Sequence, residues 1–156
     1  MIRYRIFKIG VGSIVALTGM QFIGPTRINQ PVDRSIALSG VSAPRPVVAL
    51  IERACYDCHS YETRWPWYSG VAPASWLVVG DVNAARRQLN FSRWRRYNPY
   101  DQADLLDKIC DLASKRTMPL WQYRLLHPRA RLSAAEITSL CAWTTAEASR
   151  VARAGS

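Results

Sequence analysis

Cys55-Tyr56-Asp57-Cys58-His59 constrains this chain more than any other stretch. It reads C-x-x-C-H, the pattern through which a c-type haem is attached. The spacing follows from the chemistry. Two thiols three positions apart on a helical turn can each add across one haem vinyl group, and the next residue, His59, then stands under the iron as proximal ligand. A thioredoxin-type redox pair would want a βαβ setting, which is missing. A structural zinc site would want a second paired half-site, also missing.

A proximal histidine leaves one axial position, which methionine or histidine fills in electron-transfer haems. Of the three methionines, Met1 and Met20 lie in the N-terminal leader, so Met118 is the candidate, on a loop stiffened by Pro119. The competing candidate is His127, the only other histidine, beside Pro128; an open or water-bound position is the third alternative. Trp65-Pro66-Trp67-Tyr68 follows the attachment motif closely. Trp65, Trp67 and Tyr68 are expected to wall the porphyrin, or to form an ordinary aromatic cluster.

The remaining cysteines, Cys110 and Cys141, form an even remainder. In an oxidising compartment they would close one disulfide tying two helices together; otherwise they pack as buried thiols.

Read in order, the chain opens with a basic leader (Arg3, Arg5, Lys8) and an uncharged, mostly apolar run from Ile9 to Ile23, the layout of an export signal. That run would cover about 22 Å as a helix, short of a ~30 Å hydrocarbon core unless counted from Ile6 with Lys8 snorkelling. Gln21-Phe22-Ile23-Gly24-Pro25 is too bulky for a cleavage site, so residues 1–25 read as an uncleaved signal anchor rather than a removed peptide. Residues 26–45 read as a linker, and 46–152 as the folded domain, long enough for one core and hardly for two. Helices are expected over Val47–Ala54, over Pro73–Leu89 with Trp76, Leu77, Val79, Val82 and Ala85 as its apolar face, from Pro99 behind an Asn98 cap, and from the Ser133–Glu136 capping box. Leu105, Leu106, Ile109 and Leu112 keep the helical period of the third. The segment from Thr117 through Tyr123 to His127-Pro128 reads as a loop. No alternating strand pattern appears, and the fold class is all-α.

Twenty-one Lys and Arg against 11 Asp and Glu leave a formal charge of +10. Such a field favours an acidic redox partner or an anionic membrane surface. The arginines are scattered and follow an export signal, which argues against nucleic acid.

Cys55–Ser60, Glu62–Tyr68 and Val71–Trp76, followed by Leu89–Ser92, Met118–Leu120, His127-Pro128 and Leu132-Ser133, resemble the blocks of the bacterial haem-binding domain family, small cytochrome c-like proteins. The resemblance covers about residues 46 to 145, and the Trp-Pro-Trp-Tyr block is far more specific than the haem motif alone. It implies a small helical domain wrapped around one covalent haem c and, usually, an N-terminal membrane anchor. Cys110 and Cys141 resemble cysteines found in many members, while Trp121 departs from the family's pattern, which would place a proline or small residue there. The expected function is one-electron transfer by a membrane-anchored, non-enzymatic protein of the bacterial inner membrane, its haem domain facing the periplasm. The alternative is a haem-based sensor or small-ligand binder with an open distal site.

Overall fold

The computed structural model describes residues 2–38 and 43–154, and among them there are helices and turns and no strand. The first helix, α1 (Ile2–Gln21), is longer than the apolar run because the basic leader joins it. Ile6, Phe7, Ile9, Ile14, Val15 and Leu17 on it are exposed. No helix among the described residues is long and apolar enough to cross a membrane. The end of α1 is tied to the domain: Gln21 exchanges two hydrogen bonds with the Ala72 backbone at 3.2 and 3.4 Å, and Trp76 Nε1 donates to the Ile23 carbonyl at 3.3 Å.

The segment expected as a linker follows the domain surface rather than hanging free. Asn29 donates to the Thr63 carbonyl at 2.8 Å, the Arg95 N–H donates to Ile36 O at 2.9 Å, and Ala37 and Leu38 are buried. Residues 39–42 of that segment lie outside the described residues.

Helix α2 (Arg45–Ala54) has Pro46 in its first turn, where a missing N–H costs nothing, and buries Val47, Leu50, Ile51 and Ala54. It runs into the short α3 (Tyr56–His59), with Cys55 at the junction. A 3₁₀ turn, Trp67–Gly70, leads to α4 (Ala74–Gln88). The face α4 buries carries Ser75, Val79 and Val82, whereas Trp76 and Leu77, expected on it, are 40% and 70% exposed. Positions 75, 79 and 82 repeat at helical spacing, and 76 and 77 are turned away from that stripe.

A 3₁₀ segment, Phe91–Arg96, inserts Phe91 and Trp94 into the core. Helix α5 (Pro99–Ser114) begins as the sequence predicts, Asn98 Oδ1 accepting from the Asp101 N–H at 2.9 Å and Pro99 in the first position. Its end is sharp. The Thr117 N–H reaches the Leu112 carbonyl and the Arg116 N–H the Ala113 carbonyl, a Schellman pair with Arg116 at φ 55° in the place glycine usually takes.

Helix α6 (Trp121–Leu126) replaces the loop expected there; its six residues, fenced by Pro119 and Pro128, are too few for a period to show. Trp121, the departure from the family pattern, opens it and is 68% exposed. Helix α7 (Ala134–Ala154) starts from the capping box. Ser133 Oγ accepts from the Glu136 N–H at 3.2 Å, and Glu136 Oε2 accepts from the Ser133 N–H at 2.8 Å. It packs along α5, and a Cys110–Cys141 disulfide joins them across a Cα–Cα distance of 4.8 Å. Ile51, Leu106, Leu140, Phe91 and Trp94 are the largest fully buried apolar side chains of the core.

Candidate haem site

Helix α2 delivers the attachment motif. The Cys55 N–H completes α2 by donating to the Ile51 carbonyl, and the Cys55 carbonyl then accepts from Cys58 and His59 at 3.1 and 2.9 Å. That turn sets the two free cysteines and the imidazole on the wall of one cavity of about 490 Å³. Met118 lies on the wall of the same cavity. Thus a segment just beyond the end of α5 meets the haem motif, and the Schellman turn at Arg116 is what stops α5 in time to place it there.

The rest of the wall is mainly apolar: Leu105, Ile109 and Leu112 from α5, Leu140 from α7, Phe91 and Leu120. The size lies within the ordinary range for small-molecule sites, roughly 300–1,000 Å³. Lys108, Asp81 and Gln88 are its polar margin, with Lys108 donating to Asp104 Oδ2 at 2.6 Å.

His59 Nδ1 lies 3.1 Å from the Leu89 carbonyl oxygen. A carbonyl only accepts, so Nδ1 carries the proton and Nε2 keeps its lone pair. Burial lowers the His59 pKa against the pull of its backbone hydrogen bonds, so the ring is neutral at pH 7 and able to ligate. Burial pushes the Cys55 thiol up to about 12 and Cys58 up to about 11, each raised further by a neighbouring negative charge. A thiol-disulfide catalyst needs the opposite shift, toward thiolate.

Asp57, inside the motif, ties the site to the rest of the chain. Its carboxylate accepts from the Arg64 N–H at 3.0 Å, from Arg64 Nε at 3.1 Å, and from the Tyr123 hydroxyl at 2.7 Å. Tyr123 also lines the cavity, and its pKa is raised strongly, first by burial and then by the Asp57 bond. Neither Tyr123 nor the α5 wall was singled out as site from sequence. Leu105, Ile109 and Leu112 were legible only as an apolar stripe.

Trp65, Trp67 and Tyr68 are not among the residues lining the cavity. Pro66 is extended and the 3₁₀ turn after it carries Trp67 outward, 81% exposed and edge-on to Tyr68 with ring centroids 5.8 Å apart. Trp65 lies under the Arg86 guanidinium at 5.8 Å. Tyr68 is coupled to the motif electrostatically, its pKa raised by burial and then by Cys58 and Asp57. His127, the rival axial ligand, is also off the cavity wall. It stacks on Tyr123 at 4.1 Å, with Nδ1 lying 3.2 Å from the Tyr123 carbonyl.

Among the described residues, no group of three or more His, Cys, Asp or Glu side chains is arranged to hold a metal ion by itself. The donors that converge instead are two thiols, one imidazole and one thioether in an apolar enclosure. That set fits a haem: thiols to fix the ring edge, nitrogen and sulfur for the iron, apolar walls for the porphyrin.

The chain has no match among curated proteins and none among solved structures. The haem-binding domain family matches residues 15–146, most of the sequence. With that match laid over the shared cavity of Cys55, Cys58, His59 and Met118, the chain belongs to the haem-binding domain family.

Proposed function

We infer that the chain is a c-type cytochrome-like electron carrier, holding one haem covalently through Cys55 and Cys58. The observation that carries the reading is that these two thiols, His59 and Met118 line a single apolar cavity. Bound haem supplies one-electron iron chemistry. The chain supplies the rest. Cys55 and Cys58 anchor the ring, the Leu89 carbonyl holds His59 in the tautomer that offers Nε2, and Met118 offers sulfur from a different part of the chain. Two protein ligands keep the iron's surroundings nearly unchanged between oxidation states, and Met with His favours a higher potential than two histidines. Leu105, Ile109, Leu112 and Leu140 exclude water from that centre.

Attachment of the chain to the bacterial inner membrane through α1, with the haem domain in the periplasm, is supported by the basic start of α1, its exposed apolar side chains and the Cys110–Cys141 disulfide, which belongs to an oxidising compartment. An acidic redox partner fits the formal charge of +10.

The test is an optical spectrum of the full chain, produced with a c-type maturation system and taken ferric, then ferrous, then denatured in pyridine. Haem that stays with the denatured chain, together with the weak red charge-transfer band of an iron–sulfur bond, supports the carrier. Attached haem with high-spin iron and ready carbon monoxide binding favours a sensor. Loss of all haem despite active maturation overturns the covalent assignment.

A further inference from the structure

On the face of α4 turned away from the haem cavity there is a second cavity, of about 470 Å³, with a different chemistry. Asn83, Arg86 and Arg87 line it from α4, at the spacing that shares one helix face, whereas Asp81, Ala84, Ala85 and Gln88 line the haem cavity from the same helix. Arg93 and Arg96 close it from the 3₁₀ segment, and Tyr61 and Tyr97 flank them. No carboxylate lines it.

Four guanidiniums around one hollow repel one another, and ordinary structural roles account for only two. Arg86 and Arg87 sit in the last turn of α4, where cations suit the helix dipole. Arg86 is also clamped: its guanidinium donates to the carbonyls of Ser60 and Ile28, to Asn29 Oδ1 and to Thr63 Oγ1, all within 2.9 Å. It stands rigidly in the wall. Arg93 and Arg96 are exposed and enter no salt bridge among the described residues. Asp33, whose carboxylate feels Arg96, turns Oδ1 to the Ser35 N–H and hydroxyl at 2.9 and 2.6 Å.

We propose that this arginine-lined cavity is a binding site for a phosphate group. Guanidinium forks pair with oxyanions bidentately. Donors here come from two separate elements, α4 and the 3₁₀ segment, and Asn83 adds an amide. Donors arriving from several directions match a tetrahedral anion with acceptors on all sides better than a planar carboxylate. Gln30, also on the wall, lies only nine positions beyond the end of α1; a lipid headgroup as the source of the phosphate rests on the proposed attachment of α1 to a membrane, whereas a free phosphate compound does not. The site is independent of haem.

The experiment titrates inorganic pyrophosphate into the full chain in zwitterionic detergent by calorimetry. In parallel, it measures co-sedimentation with phosphatidylglycerol and with phosphatidylcholine vesicles. The R93A/R96A variant is compared with R45A/R129A, which removes the same charge from exposed positions elsewhere. Loss of two charge-assisted donors weakens a specific site by about tenfold or more. Saturable pyrophosphate binding that falls in R93A/R96A and not in R45A/R129A supports the site with a free ligand. No pyrophosphate binding, but a phosphatidylglycerol preference lost only in R93A/R96A, supports the lipid headgroup. Equal behaviour of the two variants in both arms, or no anion preference in either, overturns the proposal.

Discussion

His59 and Leu89 are joined by a 3.1 Å contact between Nδ1 and a main-chain carbonyl, and α4 ends at that point. The Leu89 N–H still completes α4 by donating to Ala85 O, while its own carbonyl, beyond the helix, is free for the imidazole. The ring is therefore oriented by backbone, which no side-chain substitution at position 89 removes directly.

The weaker side of the proposed ligand pair is Met118, held on a non-helical stretch between α5 and α6. Met118→Ala should retain haem, because both thioether anchors are intact. It should lose the red charge-transfer band, become high-spin, and bind carbon monoxide far more readily than the parent. Ferric and ferrous spectra with and without carbon monoxide check this. An unchanged band in the variant would show that another group supplies the sixth ligand.

Tyr123→Phe removes a hydroxyl that donates to the Asp57 carboxylate at 2.7 Å. A hydrogen bond to a charged group contributes about 1.5–3 kcal/mol, and the loss here should fall near the lower value because Arg64 still holds Asp57. Urea unfolding of the two proteins gives the difference. Because burial raises the Tyr123 pKa strongly, the parent should also have one tyrosine that stays un-ionised well above pH 10 and that the variant lacks, which an ultraviolet titration counts.

Cys110→Ser with Cys141→Ser opens a loop spanning 31 positions. The chain-entropy estimate for such a loop is about 3–4 kcal/mol. Haem spectra should be preserved at low temperature, since neither residue lines the cavity, while the melting point falls.

Glu136→Gln weakens the cap of α7 and its ion pair with Arg53 on α2. The expected loss at pH 7 is about 0.5–1 kcal/mol, typical of a partly exposed capping box and pair. The Glu136 pKa is lowered from its ordinary 4.5, chiefly by the Ser133 N–H and further by the Ser133 hydroxyl and Arg53. Its contribution is therefore fully present above that value and is lost as pH falls through the lowered one. Melting curves of parent and variant should differ at pH 7 and draw together as the pH is taken progressively below 4.5. A constant gap across that range would rule out the carboxylate as the source.

What the sequence made legible was local. The Cys55–His59 spacing, the Asn98-Pro99 start of α5 and the Ser133–Glu136 box each carry their geometry within five residues, and the structure has all three. Elimination among few sulfur donors points to Met118, and the structure puts that residue on the cavity wall. The parts that stayed hidden depend on partners far along the chain. Tyr123 finds Asp57 across 66 positions. Leu38 joins the core from a stretch with no period of its own. Trp67 points outward because of the turn that Pro66 starts, and hydrophobicity alone would have put it inside.

Four cysteines in one chain admit three ways of making two bridges. Here Cys110 and Cys141 are bridged while Cys55 and Cys58 are free, and the proposed covalent haem needs them so, since a bridge between the latter would consume the groups a vinyl addition uses. Burial helps sort them. A thiol whose pKa stands at about 11 or 12 is almost never thiolate at neutral pH, and only the thiolate attacks a disulfide. Once folded, the domain therefore keeps Cys55 and Cys58 in the unreactive thiol form, while the other two sulfurs are already spent in the α5–α7 bridge.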